Sequence, residues 1–161
     1  MGYYIRTNTS NFRIRKDNLS KFWEIVTHLM SDEQLAKNGN VIFPDQPMKK
    51  MYYSWIDTHM ARKAIQNQDI FRFFFEWRYE LMNDEENEDF ICSHIMIEGG
   101  ESKIGDEELL FEAIAPIVEN GSYIEVIGED GERFRWSWNN GKLYVADAEV
   151  VFSDPVEYRR S

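Results

Sequence analysis

Residues 122–147 have the sequence SYIEVIGEDGERFRWSWNNGKLYVAD, in which three alternating segments are separated by two short turns. Asp-Gly and Asn-Gly between alternating segments are strong signals for β-hairpins, because these residues accept the positive φ angles that tight turns require. We therefore predict three consecutive strands, at residues 122–128, 132–138 and 142–147, that form an antiparallel meander.

The middle strand of this meander has one apolar face and one polar face. Phe134, Trp136 and Trp138 alternate with Arg133 and Arg135, so the aromatic side chains point to one side of the sheet and the arginines to the other. Antiparallel sheets with this pattern bury one face and leave the other in water. We therefore predict an α+β fold, an antiparallel sheet with helices packed on one face.

The sequence before the meander supplies further strands and the covering helices. Alternation of apolar and polar residues predicts strands at residues 3–6, 12–15, 51–56, 75–81 and 90–98. Capping residues and apolar residues at helical spacing predict helices at residues 19–30, 31–35, 58–66, 69–74 and 105–115. The stretch 70–81 fits both periodicities, and we divide it near Phe74. The predicted sheet has about six to seven strands, with two to four helices on one face.

The chain shows no internal repeat, low-complexity linker or domain boundary, so residues 1–161 are predicted to form a single domain. Residues 148–161, AEVVFSDPVEYRRS, form a tail after the last predicted strand. We expect Val150, Val151 and Phe152 to dock on the body or on a partner, because an apolar run gains free energy by leaving water.

Composition excludes several classes of protein. The formal net charge is −11, from 18 Lys+Arg against 29 Asp+Glu, which argues against direct binding to nucleic acid or to an anionic membrane surface. A single cysteine rules out a disulfide framework and any multi-cysteine metal site. No apolar run is long enough for a membrane span, and the N-terminus lacks a signal-peptide core. A cytoplasmic location is therefore expected.

The negative charge is concentrated in one part of the chain. Residues 84–132 contain 16 acids and only Lys103 as a base, a net charge of −15 in 49 residues. Such a stretch either forms solvated loops that keep the protein soluble or forms an anionic surface that meets a basic partner. The candidate partner-binding residues are Asp84, Glu85, Glu86, Glu88, Asp89, Glu98, Glu101, Asp106, Glu107 and Glu108.

Cys92 and His94 are the one candidate for nucleophilic chemistry. They lie two residues apart in a predicted strand, so both side chains would point to the same face, where a thiolate–imidazolium pair could act as a nucleophile. The other interpretation is a small buried cysteine beside a histidine, because both lie among apolar residues. Trp136 and Trp138 could likewise form a stacking platform or belong to the core.

We predict no catalytic residue, no cofactor and no metal site. No two histidines have a metal-binding spacing. The run 84–89 has oxygen ligands for Ca²⁺ or Mg²⁺ but lacks the glycine and the distal glutamate of a calcium-binding loop.

Several short motifs lie along the C-terminal third of the chain. They are Gly105–Phe111, Ala113–Pro116, Gly121–Glu125, Gly128–Gly131, Phe134–Trp136 and Asn140–Lys142. Together, over about residues 102–143, they resemble a pattern in small acidic proteins of phages and mobile elements, most of which have no assigned activity. The resemblance implies a genomic habitat, and it carries over no functional residue.

Small acidic proteins of such elements commonly bind host proteins. Many of the host targets in phage defence are basic because they bind nucleic acid. The resemblance and the charge of residues 84–132 lead to the hypothesis of a non-catalytic inhibitor of anti-CRISPR type in the host cytoplasm. It would bind a basic, nucleic-acid-binding host effector, such as a CRISPR nuclease complex, and compete with nucleic acid. Two alternatives stay open: a small enzyme or ligand-binding module that uses Cys92, His94 and an aromatic pocket, and a structural or assembly protein of a mobile element. The oligomeric state is left open.

Overall fold

A computed structural model describes residues 3–42 and 50–160 of the chain. Ten strands lie in this part of the chain: β1 Tyr4–Asn11, β2 Ile14–Arg15, β3 Asn40–Ile42, β4 Lys50–Tyr52, β5 Tyr79–Asn83, β6 Phe90–Ile97, β7 Ser102–Lys103, β8 Tyr123–Gly128, β9 Arg133–Asn139 and β10 Lys142–Asp147. Its five α-helices are α1 Leu19–Leu29, α2 Asp32–Asn38, α3 Thr58–Gln66, α4 Ile70–Glu76 and α5 Glu107–Ala113. None of these helices is long and apolar enough to span a membrane. The predicted α+β class is confirmed.

The strands are divided between two main sheets rather than gathered in one. A five-stranded sheet has the order β10-β9-β8-β1-β7, a three-stranded sheet has the order β2-β6-β5, and β3 pairs with β4. β1 and β6 lie side by side where the two sheets meet. Two β6 amides donate there to side chains of β1: Ile95 N to Ser10 Oγ (3.0 Å) and Ile97 N to Thr7 Oγ1 (2.8 Å). These side-chain acceptors replace the backbone ladder and thereby separate the sheets.

The meander predicted for residues 122–147 is confirmed as β8, β9 and β10. Its two turns have positive φ angles at Gly131 (86°), Asn140 (51°) and Gly141 (74°). These are the positions at which the Asp-Gly and Asn-Gly signals require a left-handed backbone. The local turn chemistry therefore fixes the register of this part of the five-stranded sheet.

The two faces of β9 differ as predicted. Trp136 and Trp138 are buried, and their rings pack edge-on to Phe111 of α5, with centroids 5.2 and 5.4 Å apart. Arg133 and Arg135 are exposed on the opposite face. α1 adds a buried stripe to the same core, formed by Phe22, Trp23, Val26 and Leu29. One face of the meander is thus covered by helices.

In residues 70–81, which fit both helical and strand periodicity, the helix ends later than predicted. α4 runs to Glu76, because Asp69 caps it by accepting the Arg72 amide (3.0 Å) and Arg72 pairs with Glu76 one turn on (2.6 Å). Phe75, predicted to face inward on a strand, is therefore a helical residue and is 42% exposed. β5 begins only after the following turn, so the strand predicted at 75–81 is wrong in its first half.

Three further boundaries differ from the sequence pattern. β1 continues through Thr7–Asn11, which were predicted as a turn, because these residues pair with β8. The predicted strands at 12–15 and 51–56 are shortened to β2 and β4. β3 lies in a segment predicted as an extended loop, and residues 43–49 of that loop lie outside the described residues.

Candidate functional site

Residues 84–89, here called the acidic turn, connect β5 to β6. The side chains of Glu85, Glu86, Glu88 and Asp89 are exposed. Asp84 Oδ1 accepts the amides of Asn87 (2.9 Å) and Glu86 (3.0 Å), and these bonds, led by that of Asn87, lower the pKa of Asp84. Because Asp84 organises the backbone, the other four carboxylates project from an ordered turn rather than a loose loop.

Basic residues of β2 and its flanks lie at the base of the acidic turn. The guanidinium groups of Arg13 and Arg15 lie over the Phe90 ring, 5.1 and 5.2 Å from its centroid. The Lys16 amide donates to the Asp89 carbonyl (2.9 Å). Among the described residues, no carboxylate of the acidic turn forms an ion pair. The arginines reduce the local negative potential without occupying the carboxylates directly.

Glu98 and Glu101 lie at the other end of β6. This strand has eight residues, so at about 3.3 Å per residue its ends are roughly 23 Å apart. Glu101 lines a hollow of about 320 Å³ together with Arg6 and Glu129. The predicted acidic residues therefore do not converge on one patch, and this second group lies in a surface of mixed charge.

Three further predicted partner-binding residues make contacts within the molecule. Asp106 Oδ2 accepts the Ser54 amide (2.7 Å). Glu108 Oε1 accepts the indole N–H of Trp136 (2.8 Å). Glu107 is only 7% exposed, so its assignment to a partner-facing surface is wrong. These bonds attach the start of α5 to the body of the domain.

Glu107 is the most perturbed carboxyl group of the described residues. Its pKa is raised to about 7, chiefly by burial and in smaller part by the neighbouring charges of Glu108 and Asp106. The Gly105 amide, which donates to Glu107 Oε1 at 2.8 Å, acts in the opposite direction. The buried Tyr79 hydroxyl lies close to it without a hydrogen bond of ordinary geometry. Glu107 thus carries its charge at a cost to the folded state.

The predicted common face of Cys92 and His94 is wrong. In the pairing of β5 with β6, Met82 lies opposite His94 and Asn83 lies opposite Cys92, so Ser93 is an extra residue in a β-bulge. Cys92 is fully buried, whereas His94 is exposed and hydrogen-bonded to Ser93 Oγ (2.8 Å). The bulge shifts the alternation by one residue and separates the two side chains.

Cys92 should react slowly with alkylating agents. Burial raises the pKa of its thiol to about 12, so the nucleophilic thiolate is scarce at neutral pH. We expect iodoacetamide to modify native Cys92 at least tenfold more slowly than the same thiol in denatured protein. Mass spectrometry over a time course measures both rates, and equal rates would restore Cys92 as a candidate nucleophile.

Trp136 and Trp138, which the sequence also allows as a stacking platform, lie in the core. A groove of about 430 Å³ lies between α1, α2 and α5, where Ile25, His28 and Leu109 are among its lining residues. It contains neither Cys92 nor His94.

The tail was predicted to dock on the body or on a partner, and the first of these two predictions is wrong. Val150, Val151 and Phe152 are 84%, 83% and 88% exposed, so they do not dock on the body. The sequence signal for an exposed tail is the lack of a turn residue after β10. A tight turn back onto the sheet needs glycine or asparagine, and the chain has Ala148 and Glu149 there.

Comparisons of the chain with protein-family models, with curated proteins and with solved structures found no match. Within residues 3–42 and 50–160, no group of three or more His, Cys, Asp or Glu side chains is arranged to hold a metal ion.

Proposed function

We propose that this protein is a non-catalytic binding protein that recognises a basic, nucleic-acid-binding protein and competes with nucleic acid for it. The observation that carries the proposal is the acidic turn: five carboxylates in six residues, four of them exposed and none in an ion pair with a described residue. The turn is the contact element. Glu98 and Glu101 lie outside it, and residues 106–108 serve the fold.

The chemistry of such a contact is electrostatic. A groove that holds phosphates with lysine and arginine also attracts closely spaced carboxylates, and a charged surface of this kind raises the association rate more than it lengthens the lifetime of the complex. The interaction is screened over about 8–10 Å at physiological salt. Binding through the acidic turn is therefore expected to weaken steeply as salt is raised.

The resemblance to small acidic proteins of phages and mobile elements suggests the class of partner. A nucleic-acid-binding defence effector, such as a CRISPR nuclease complex, has the basic groove that the acidic turn would enter. The protein would then be an inhibitor of anti-CRISPR type that acts in the host cytoplasm by excluding the target nucleic acid.

Reversing charge in the acidic turn tests this proposal. We expect Glu85→Lys with Glu86→Lys to weaken binding to the basic partner about tenfold or more at about 0.1 M salt, because two attractions become repulsions. The matched control is Glu98→Lys with Glu101→Lys, which changes the net charge equally at the other end of β6. The measurement is displacement of labelled DNA from purified, guide-RNA-loaded nuclease complexes, followed by fluorescence anisotropy.

The two double variants separate local contact from overall charge. Equal loss in both would mean that net charge alone drives binding, and the acidic turn would not be the contact element. If the unaltered protein displaces no DNA from any complex tested, competition with nucleic acid is not its activity against them. Loss confined to the acidic turn supports the proposal.

A further inference from the structure

Residues 148–160, here called the C-terminal arm, follow β10 and carry several exposed apolar side chains. Five of its apolar side chains are 83–89% exposed: Val150, Val151, Phe152, Val156 and Tyr158. The Ala148 amide donates to the Arg133 carbonyl (3.0 Å), and no later residue of the arm hydrogen-bonds to the described body. Soluble monomers seldom leave this many large apolar side chains together in water, so a segment of this kind is typical of an interaction surface.

The sheet has a free edge directly beside the start of the arm. β10 is the terminal strand of the five-stranded sheet, and only β9 pairs with it among the described residues. Tyr144 and Val145 on this strand are 49% and 54% exposed. An unpaired edge offers a row of backbone donors and acceptors to any extended chain.

The arm is not placed to pair with β10 of its own copy. To pair with β10 of the same copy it would have to reverse direction at Ala148-Glu149, and a two-residue hairpin there needs positive φ angles that glycine or asparagine supplies. Neither residue has a positive φ. The arm therefore leads away from β10 of its own copy.

We propose that two copies of this chain exchange their C-terminal arms, each arm lying along β10 of the other copy and covering Tyr144 and Val145. One chain carries both the extended donor and the open acceptor, so a two-fold axis satisfies both edges at once and closes the assembly. The partner is thus a second copy of this chain.

The area and the charge of the arm suit this partner. Phe152 and Tyr158 together bury roughly 300–500 Å² per arm, and two arms with the surfaces that receive them reach roughly 1,200–2,000 Å², the size of a stable interface. Residues 148–161 carry three acids and two arginines, a charge of −1 out of −11. The arm therefore adds little to the repulsion between two acidic copies. Lys142 on β10 and Arg133 on the adjacent β9 are exposed basic residues.

Sedimentation velocity over about 1–100 µM tests the exchange. We expect the full chain to be a dimer, and a chain ending at Asp147, Phe152→Asp and Val145→Lys each to raise the dimer dissociation constant at least tenfold. The control is Met82→Lys, which changes an apolar residue that is 41% exposed on β5 of the other sheet and should leave the dimer intact. Circular dichroism confirms that each variant is folded.

Mixing two defective copies makes the test specific for arm exchange. A chain ending at Asp147 keeps the receiving edge, and Val145→Lys keeps the arm, so the mixture should form heterodimers through one exchanged arm. A monomeric full chain throughout the range, a dimer that survives loss of the arm, or a mixture that stays monomeric would each overturn the proposal. Glu85→Lys with Glu86→Lys should still dimerise, which distinguishes this result from failure of the acidic-turn proposal.

Discussion

Replacing Glu107 by glutamine is expected to stabilise the protein by up to about 3 kcal/mol at about pH 8 and to leave stability nearly unchanged at about pH 4.5. Burial raises the pKa of Glu107 to about 7, against an ordinary value of 4.5. An acid whose pKa is higher in the folded state binds its proton more tightly there, so folding is favoured at low pH and the advantage is lost as pH rises from 4.5 to about 7.

Glutamine has the shape of the protonated acid and can still accept the Gly105 amide, so Glu107→Gln removes the cost of the buried charge and keeps the hydrogen bond. Guanidinium unfolding at about pH 4.5 and about pH 8 measures the difference. The control is Glu112→Gln, an exposed position on the same helix, where the same loss of charge should change stability by less than about 0.5 kcal/mol at either pH. A gain at Glu107 that is absent, or equal at both pH values, would contradict the assignment of a buried, charged carboxylate.

The elements that could be predicted are those specified by neighbouring residues. The meander of residues 122–147 is encoded by two turn dipeptides and by alternation within each strand, and no distant contact is needed to recognise it. The acidic turn is likewise predictable as the connection between two strands, because five acids in six residues interrupt both periodicities. Its exposure follows from the same composition.

The features that could not be predicted are set by residues far apart in the chain. The Ser93 bulge depends on Phe12, whose amide donates to the Ser93 carbonyl (3.0 Å), and no alternation pattern signals the extra residue. Glu107 has the position of an ordinary acid in the first turn of a helix, which favours exposure. It is only 7% exposed, and the buried Tyr79 hydroxyl, from a strand 28 residues earlier, lies close to it. Glu107, one of the predicted partner-binding residues, is therefore a buried residue.

Removing the side-chain hydroxyls that join the two sheets is expected to cost about 2–5 kcal/mol of stability in the double variant Thr7→Val with Ser10→Ala. Thr7 Oγ1 and Ser10 Oγ accept the Ile97 and Ile95 amides of β6 at 2.8 and 3.0 Å. These amides lie beside the fully buried side chains of their own residues. Without the hydroxyls they have no acceptor, and an unsatisfied buried N–H costs about 1–3 kcal/mol.

Thr9→Val is the matched control, because Thr9 is exposed at the irregularity in the pairing of β1 with β8 and should change stability by less than about 0.5 kcal/mol. Thr7→Ser keeps an acceptor in the same place and should recover most of the loss at that position. Urea unfolding followed by tryptophan fluorescence measures the stability of the unaltered protein, the double variant, Thr9→Val and Thr7→Ser. If the double variant loses no more than Thr9→Val, the two sheets are held together by their apolar side chains alone, and the hydroxyl acceptors do not explain why the backbone ladder stops at β1.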